Sequence, residues 1–347
     1  MTIRYIDTRG NVEEPLEFSE AVIEGLASGG GLLVPVEVPH MTLDEIVALG
    51  HMPYRERAAF VYERFGVDFS HEELAELFEI IYADNFDVPD ICPVVPVGED
   101  GTYVLELWHG PTSAFKDMAL QCLPVFFSAS VEKQRQAGGP GNDYLIAVAT
   151  SGDTGKAALQ GFANREHTSI VVYYPDGGVS DIQFKQMATQ LGDNVCVYGV
   201  RGNFDDCQTS VKRMFNDAAF NARLLSEHNI ALSSANSINW GRLLPQVVYY
   251  ISAYAQLVAS GAVRVLAVHA ALARQEASLL VVRDFKPRRR HEIPLRLAQH
   301  LKRLFVHGNC LVLGRALLEL GRAGRTGVFR RIVQRGDEQE PDTAQQG

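Results

Sequence analysis

Residues 144–156 read Tyr144-Leu145-Ile146-Ala147-Val148-Ala149-Thr150-Ser151-Gly152-Asp153-Thr154-Gly155-Lys156. The apolar run at the start has the length and composition of a buried strand, and the small polar residues after it break the run. Residues 153–164 then take up helical spacing. The same strand-to-helix step recurs along the chain. Strand candidates lie at 103–108, 144–149, 169–174, 194–200 and 229–233, and helix candidates at 115–130, 153–164, 180–191, 204–224 and 238–259. Such alternation predicts an α/β fold with a parallel sheet. Ligands of these sheets bind beyond the carboxyl ends of the strands, so the strand-to-helix turns are where chemistry is expected.

The turn at 150–155 has a composition suited to an anion. Gly152 and Gly155 permit a tight bend whose amides can point at one oxyanion, and the hydroxyls of Thr150, Ser151 and Thr154 add donors. A substrate carboxylate could sit there without a formal positive charge. The plainer alternative is a capped helix start with Ser151 or Asp153 as N-cap.

A second turn reads His109-Gly110-Pro111-Thr112-Ser113-Ala114-Phe115-Lys116-Asp117. It follows the strand-like run Tyr103 to Trp108 and opens a helical segment. A lysine at a helix start meets unpaired N–H groups and a positive dipole end, so its neutral amine is favoured. A neutral amine is what imine chemistry needs. A solvated surface lysine is the bland alternative.

The wording of residues 109–117 resembles the lysine motif of threonine synthases, H-G-P-T-x-A-F-K-D, and further matches follow in order. Residues 149–155 resemble that family's A-T-S-G-D-T-G loop. Tyr174-Pro175-Asp176-Gly177-Gly178-Val179-Ser180 resembles its Y-P-x-G-x-x-S segment, and residues 199–208 resemble its V-x-G-x-F-D-D-C-Q. Leu232-Ser233-Ser234-Ala235-Asn236-Ser237-Ile238-Asn239-Trp240-Gly241-Arg242-Leu243 resembles its N-S-A-N-S-I-N-x-x-R-L. The N-terminal Tyr5-Ile6-Asp7-Thr8-Arg9-Gly10 and Gly30-Gly31-Leu32-Leu33-Val34-Pro35 also resemble the family, so the likeness covers about residues 5–260. It implies fold type II, with two interleaved α/β domains and a helical N-terminal region. It also implies a pyridoxal 5'-phosphate enzyme that converts O-phospho-L-homoserine and water to L-threonine and phosphate by γ-elimination and β-addition.

By the resemblance, Lys116 is the catalytic residue and carries the cofactor, with Phe115, Ser151 and Asp153 beside it. Thr150, Ser151, Gly152, Asp153, Thr154 and Gly155 hold the substrate carboxylate. Asn236, Ser237, Asn239 and Arg242 line the pocket, where amide and hydroxyl donors beside an arginine suit a phosphoester. Helix capping and a surface arginine are the alternative for that last group. Asp205 or Asp206 reads as a helix N-cap rather than a catalytic acid. Another fold type II lyase is a competing reading, disfavoured by Phe115-Lys116-Asp117 and Ser151-Gly152-Asp153-Thr154-Gly155.

Composition sets the bounds. With 347 residues, 46% hydrophobic and 21% charged, the chain reads as a soluble globular protein of more than one core. No apolar stretch approaches a membrane span, and no secretory leader is evident. Cysteines at 92, 122, 196, 207 and 310 are odd in number and scattered, which suits a reducing cytoplasm and gives no metal site. The partner expected is a small molecule, with neither nucleic acid nor membrane. The chain divides into a helical N-terminal region (1–95), an α/β core for cofactor and substrate (96–262) and a divergent basic region (263–347). That last region carries a net charge of +8 against −18 before it, and it contains no Tyr or Trp.

The family's P-T-G-N-F-G-N loop, which cradles the cofactor phosphate, has no counterpart in the text after residue 260, so the C-terminal part of the large domain is incomplete. One reading is a shift of reading frame. His307-Gly308-Asn309 and Arg335-Gly336-Asp337-Glu338 are strings that a GC-rich gene for P-T-G-N and A-T-N-E yields in another frame. The other is a divergent helical region, since Leu304 to Leu320 has some helical spacing. Weak cofactor binding and little activity are expected of the chain as written, and an inactive truncated remnant is the competing function.

Overall fold

The computed structural model describes residues 3–27, 30–98 and 101–262, with the backbone of 279–283. The remainder of region 263–347, including Cys310 and the two strings at 307–309 and 335–338, lies outside the described residues.

The chain opens with strand β1 (Tyr5–Asp7), helix α1 (Phe18–Glu24) and strand β2 (Leu33–Pro35), and β1 and β2 pair antiparallel. Although Ser19 has the residue type of an N-cap, helix α1 begins at Phe18 and Glu17 caps it, in a capping box with Glu20. Ser19 donates its hydroxyl to Asp68 at 2.6 Å. The acidic stretch to residue 90 holds α2 (Leu43–Leu49), α3 (Tyr54–Arg64) and α4 (His71–Ile81). Thr42 and Ser70 cap the first and last of these in reciprocal boxes with Glu45 and Glu73. Arg57 closes the far end of α2, donating to the carbonyls of Leu49 and Met52 at 2.8 Å each.

Strands β3 (Val94–Val97) and β4 (Thr102–Glu106) form an antiparallel hairpin. Then come α5 (Asp117–Leu120), α6 (Cys122–Gln136), β5 (Asp143–Ala149), α7 (Asp153–Phe162), β6 (Thr168–Pro175), α8 (Asp181–Ala188) and β7 (Val195–Val200). Helices α9 (Phe204–Asn216) and α10 (Ala218–His228), strand β8 (Ile230–Ser233) and helix α11 (Trp240–Ala259) complete the order, and the backbone of β9 (Leu279–Arg283) pairs antiparallel with β4.

The expected parallel sheet is present as β7-β6-β5-β8, with every pairing parallel. Two helix candidates are each two helices. The one at 204–224 breaks at Asp217, whose side chain accepts the Phe220 amide at 2.9 Å and starts α10. The one at 115–130 breaks at Gln121. Asn203, not an aspartate, caps α9, and Asp206 supplies the reciprocal half of the box.

One core joins the N-terminal helices to the sheet. Tyr5, Phe18, Tyr62, Phe78, Phe126 and Trp240 are fully buried or within 1% of it. Tyr62 stacks on Phe126 with centroids 4.7 Å apart, and Phe18 meets Phe126 edge-on at 5.9 Å. Each such ring contributes roughly 1.5–3 kcal/mol through burial. Phe126 stands on α6, which follows α5 and the turn that carries Lys116, so the aromatic core anchors the helix that continues from that turn. No helix among the described residues is long and apolar enough to cross a membrane, and they contain no metal-binding cluster.

Candidate active site

Four connections leave the carboxyl ends of the parallel strands: 150–152 after β5, 176–180 after β6, 201–203 after β7 and 234–239 after β8. The turn at 107–116 meets the first of them.

That turn is organised by Asp117, which is completely buried. Its carboxylate accepts the Thr112 amide at 2.8 Å, the Thr112 hydroxyl at 2.6 Å and the Ala114 amide at 3.3 Å. Burial raises the Asp117 pKa, and the Thr112 and Ala114 donors together with Lys156 pull it back only in part. Gly110 makes room for this cage, since a Cβ there would stand 2.5 Å from the Asp117 Cβ. Ser113 takes a left-handed φ of 55°, which an L-residue adopts at some cost and which the cage holds in place. At the entry to the turn, His109 lies between Asp87 (2.6 Å) and Glu106 (2.7 Å). Burial works against its charge, but the two carboxylates raise its pKa above the ordinary histidine value.

Lys116 stands half-buried beside this cage, its Nζ 4.2 Å from the centroid of the Phe115 ring. Its pKa is lowered to about 8, first by burial and then by the Arg242 and Lys156 cations, with Asp153 opposing. The downward direction matches the expectation from sequence, but the cause differs. Helix α5 has only four residues, and desolvation with neighbouring cations does what the helix dipole was expected to do.

The loop after β5 is partly self-satisfied. Thr150 is buried, and its Oγ1 accepts the amides of Gly152 (3.0 Å) and Gly155 (2.9 Å). Those two amides are therefore turned inward rather than toward a ligand. The amides of Ser151, Asp153 and Thr154 have no hydrogen-bond partner among the described residues. Neither Ser151 nor Asp153 caps α7. Gly152 holds that position at φ 138°, and the Gln183 carboxamide fills the space a side chain would need. Asp153 accepts Gln183 Nε2 at 2.8 Å and pairs with Lys156 at 3.3 Å. These neighbours hold the Asp153 carboxyl below its ordinary pKa despite partial burial.

The four candidates after β8 divide. Asn239 is fully buried, with Nδ2 donating to the Val22 carbonyl of α1 and Oδ1 accepting the Gly241 amide, both at 2.8 Å. It is the N-cap of α11, and its carboxamide is occupied away from Lys116. Asn236 is half-buried and Ser237 exposed, and among the described residues neither side chain has a hydrogen-bond partner. Arg242 is 6% exposed rather than on the surface. Its Nη1 donates to the Ala235 carbonyl at 2.7 Å, and its Nε has no partner. Burial lowers its pKa to about 10.

Lys116, Phe115, Asp153 and Arg242 are thus brought together, with the 150–155 loop against them, whereas Asn239 is set apart. Thr112, Asp117, Lys156, Gln183 and Gln186 were missing from the sequence-based site. The first three belong to motifs whose letters were already in view, but the fold-back of Asp117 onto Thr112 and the reach of Lys156 to a carbonyl 44 residues away leave no sign in the local pattern.

Residues 4–82 match the threonine synthase N terminus family. A 252-residue stretch is 45% identical to human threonine synthase-like 1, covering 70% of this chain and 33% of that protein. Threonine synthase of Pseudomonas aeruginosa is 39% identical over 258 residues, 74% of this chain and 51% of that protein. Among solved structures, the PLP-bound threonine synthase of Brucella melitensis has a TM-score of 0.66 at 39% identity, over 75% of this chain and 53% of that one. The yeast enzyme has a TM-score of 0.67 at 32% identity, over 76% of this chain and 52% of that one. The chain spans about half the length of the threonine synthases it matches and a third of the human relative. Over the matched three quarters it is related to threonine synthases and has their fold type II α/β architecture.

Proposed function

We propose, from this kinship, that residues 3–262 are built for pyridoxal-phosphate-dependent lyase chemistry on a phosphorylated amino acid. The substrate would be O-phospho-L-homoserine and the products L-threonine and phosphate. The observation that carries the reading is the half-buried Lys116 amine, with its pKa lowered to about 8 between Phe115, Asp153, Lys156 and Arg242.

The residues present fit the reactive end of the cofactor. An amine that titrates at about 8 has a substantial neutral fraction at mildly basic pH, able to hold an aldehyde covalently, and the Phe115 ring shields one side of it. Lys116 and Phe115 would hold the cofactor, with Ser151 and Asp153 beside it. When bound, pyridoxal phosphate supplies an electron sink that stabilises negative charge on the substrate carbons.

The chain's own residues do the rest. Ser151, Asp153 and Thr154 present free amides where a substrate carboxylate would dock, while the Thr150 hydroxyl braces the loop from within. Arg242, with its unpartnered Nε, would take the anionic phosphoester beside Asn236 and Ser237. The Lys116 Nζ would also serve to move protons at the substrate carbons. Asn239 acts at one remove by capping α11, which carries Arg242. A cytoplasmic location goes with this reading, supported by the four free cysteines among the described residues.

A second reading, a remnant that binds without turnover, is favoured by the absence of a P-T-G-N-F-G-N cradle from the sequence. Borohydride reduction of the full chain with pyridoxal phosphate, followed by peptide mapping and a phosphate-release assay with O-phosphohomoserine, separates the two. A label on Lys116 with phosphate release supports the lyase, and a label without release supports the remnant. No label at Lys116 rejects both.

A further inference from the structure

Lys156 is given no contact with cofactor or substrate above, yet it is only 7% exposed. Lysines are almost never so buried without a specific partner. Its Nζ donates to the Thr112 carbonyl at 3.0 Å and pairs with Asp153 at 3.3 Å. One side chain of α7 therefore bridges to the turn that carries Lys116, 44 residues away in sequence. Helix α8 reinforces both ends. Gln186 donates to the same Thr112 carbonyl at 3.4 Å, and Gln183 to the same Asp153 carboxylate at 2.8 Å.

The charged groups acting on Lys116 are Arg242 from α11 and Asp153 and Lys156 from α7. Asp117, its neighbour in the chain, is committed to the Thr112–Ala114 cage. Asp153 is the acid opposite two lysines. An ammonium already paired with it opposes the charge on Lys116 and also occupies the carboxylate that would otherwise draw the Lys116 amine into an ion pair.

We infer that Lys156 is a positioning residue that pins the Thr112 turn to α7 and keeps the Asp153 carboxylate engaged, leaving the Lys116 amine unpaired and ready for a carbonyl group. The inference rests on the reading of Lys116 as the carbonyl-reactive amine, and it is testable without turnover.

Competitive acetylation of the full chain by trace acetic anhydride across pH 6 to 11, read by peptide mapping, gives the titration midpoint of Lys116 directly. The wild type is expected to titrate at about 8. Lys156→Gln, which keeps a donor for Thr112 but not the charge, is expected to raise the midpoint by about one pH unit, cutting Lys116 labelling at pH 8 about fivefold. Lys156→Arg keeps the charge and should hold the wild-type midpoint. An unmoved midpoint in Lys156→Gln, or an equal rise in both variants, overturns the inference. Should Lys156→Gln fail to fold by circular dichroism, Asp153→Asn gives the answer. Two uncompensated amines then face each other and the Lys116 midpoint falls, while an unmoved midpoint again overturns the inference. A shifted midpoint in a chain that releases no phosphate keeps the positioning role and rejects the reaction proposed above.

Discussion

The turn that carries Lys116 and the helix start that carries Arg242 solve the burial of polar groups in opposite ways. In the first, the Asp117 carboxylate is matched by three donors, Lys156 by a carbonyl and a carboxylate, and His109 by two acids. In the second, a guanidinium is just as deeply buried, with one carbonyl for Nη1 and nothing for Nε. A closed network fixes a reactive group in place. An open one keeps binding energy in reserve for a ligand that can complete it.

The comparison breaks most decisively at Asp117. Asp117→Ala removes the acceptor for the Thr112 amide, the Thr112 hydroxyl and the Ala114 amide inside a dry site. Each stranded donor costs about 1–3 kcal/mol, reduced where water enters the space left behind. A destabilisation of roughly 3–5 kcal/mol in urea unfolding is expected. Asp117→Asn should fall between that and the wild type, because it keeps one acceptor oxygen. A loss below about 1 kcal/mol for the alanine variant would mean that the turn is held from elsewhere, and the contrast with Arg242 would collapse.

The closed side was also the more legible of the two in sequence, but only in part. The strands at 144–149, 169–174, 194–200 and 229–233 are found as β5 to β8, and the two inner ones, β5 and β6, are largely buried and read as near-continuous apolar runs. Strands β1, β2 and β3 have three or four residues each and leave no such run. The letters of the Lys116 turn were plain, but their work was not. Asp117 reads as the first residue of a helix, and its role appears only when the chain folds back on Thr112. Lys156 depends on a carbonyl 44 residues away, and Asn239 on a helix at the other end of the chain. Local spacing encodes a turn. Which charge meets which across the sheet is a tertiary fact.

The open side predicts a gain where a loss is customary. In the chain alone, Arg242→Met trades a desolvated cation for an apolar side chain of similar length. It gives up one hydrogen bond to Ala235 worth about 1 kcal/mol and relieves a larger burial penalty. A net stabilisation of about 1–2 kcal/mol is expected by urea unfolding. The same variant should lose the rise in melting temperature that O-phosphohomoserine gives the wild type. A variant less stable than the wild type without ligand would show that Arg242 is already satisfied, and the two sides would then be alike.

Lys116 stands between the two networks and should show a smaller effect with a distinct pH signature. Its amine titrates at about 8 in the folded chain against 10.5 ordinarily. Below pH 8 both states hold the proton, and the folded state bears the full burden of a half-buried cation. Between about 8 and 10.5 the unfolded chain binds more protons than the folded one, so stability rises with pH, and above that window the burden is gone. Lys116→Met should therefore be more stable than the wild type by about 1–2 kcal/mol at pH 7, allowing for the part of the side chain that stays solvated. The advantage should shrink as pH climbs from 8 toward 10.5. Urea titrations at pH 7 and pH 10 check both sign and window. An advantage that is the same at both pH values would mean that methionine gains by packing on Phe115 alone. The lysine would then carry no electrostatic burden, and the poised amine on which the proposed chemistry depends would not exist in this fold.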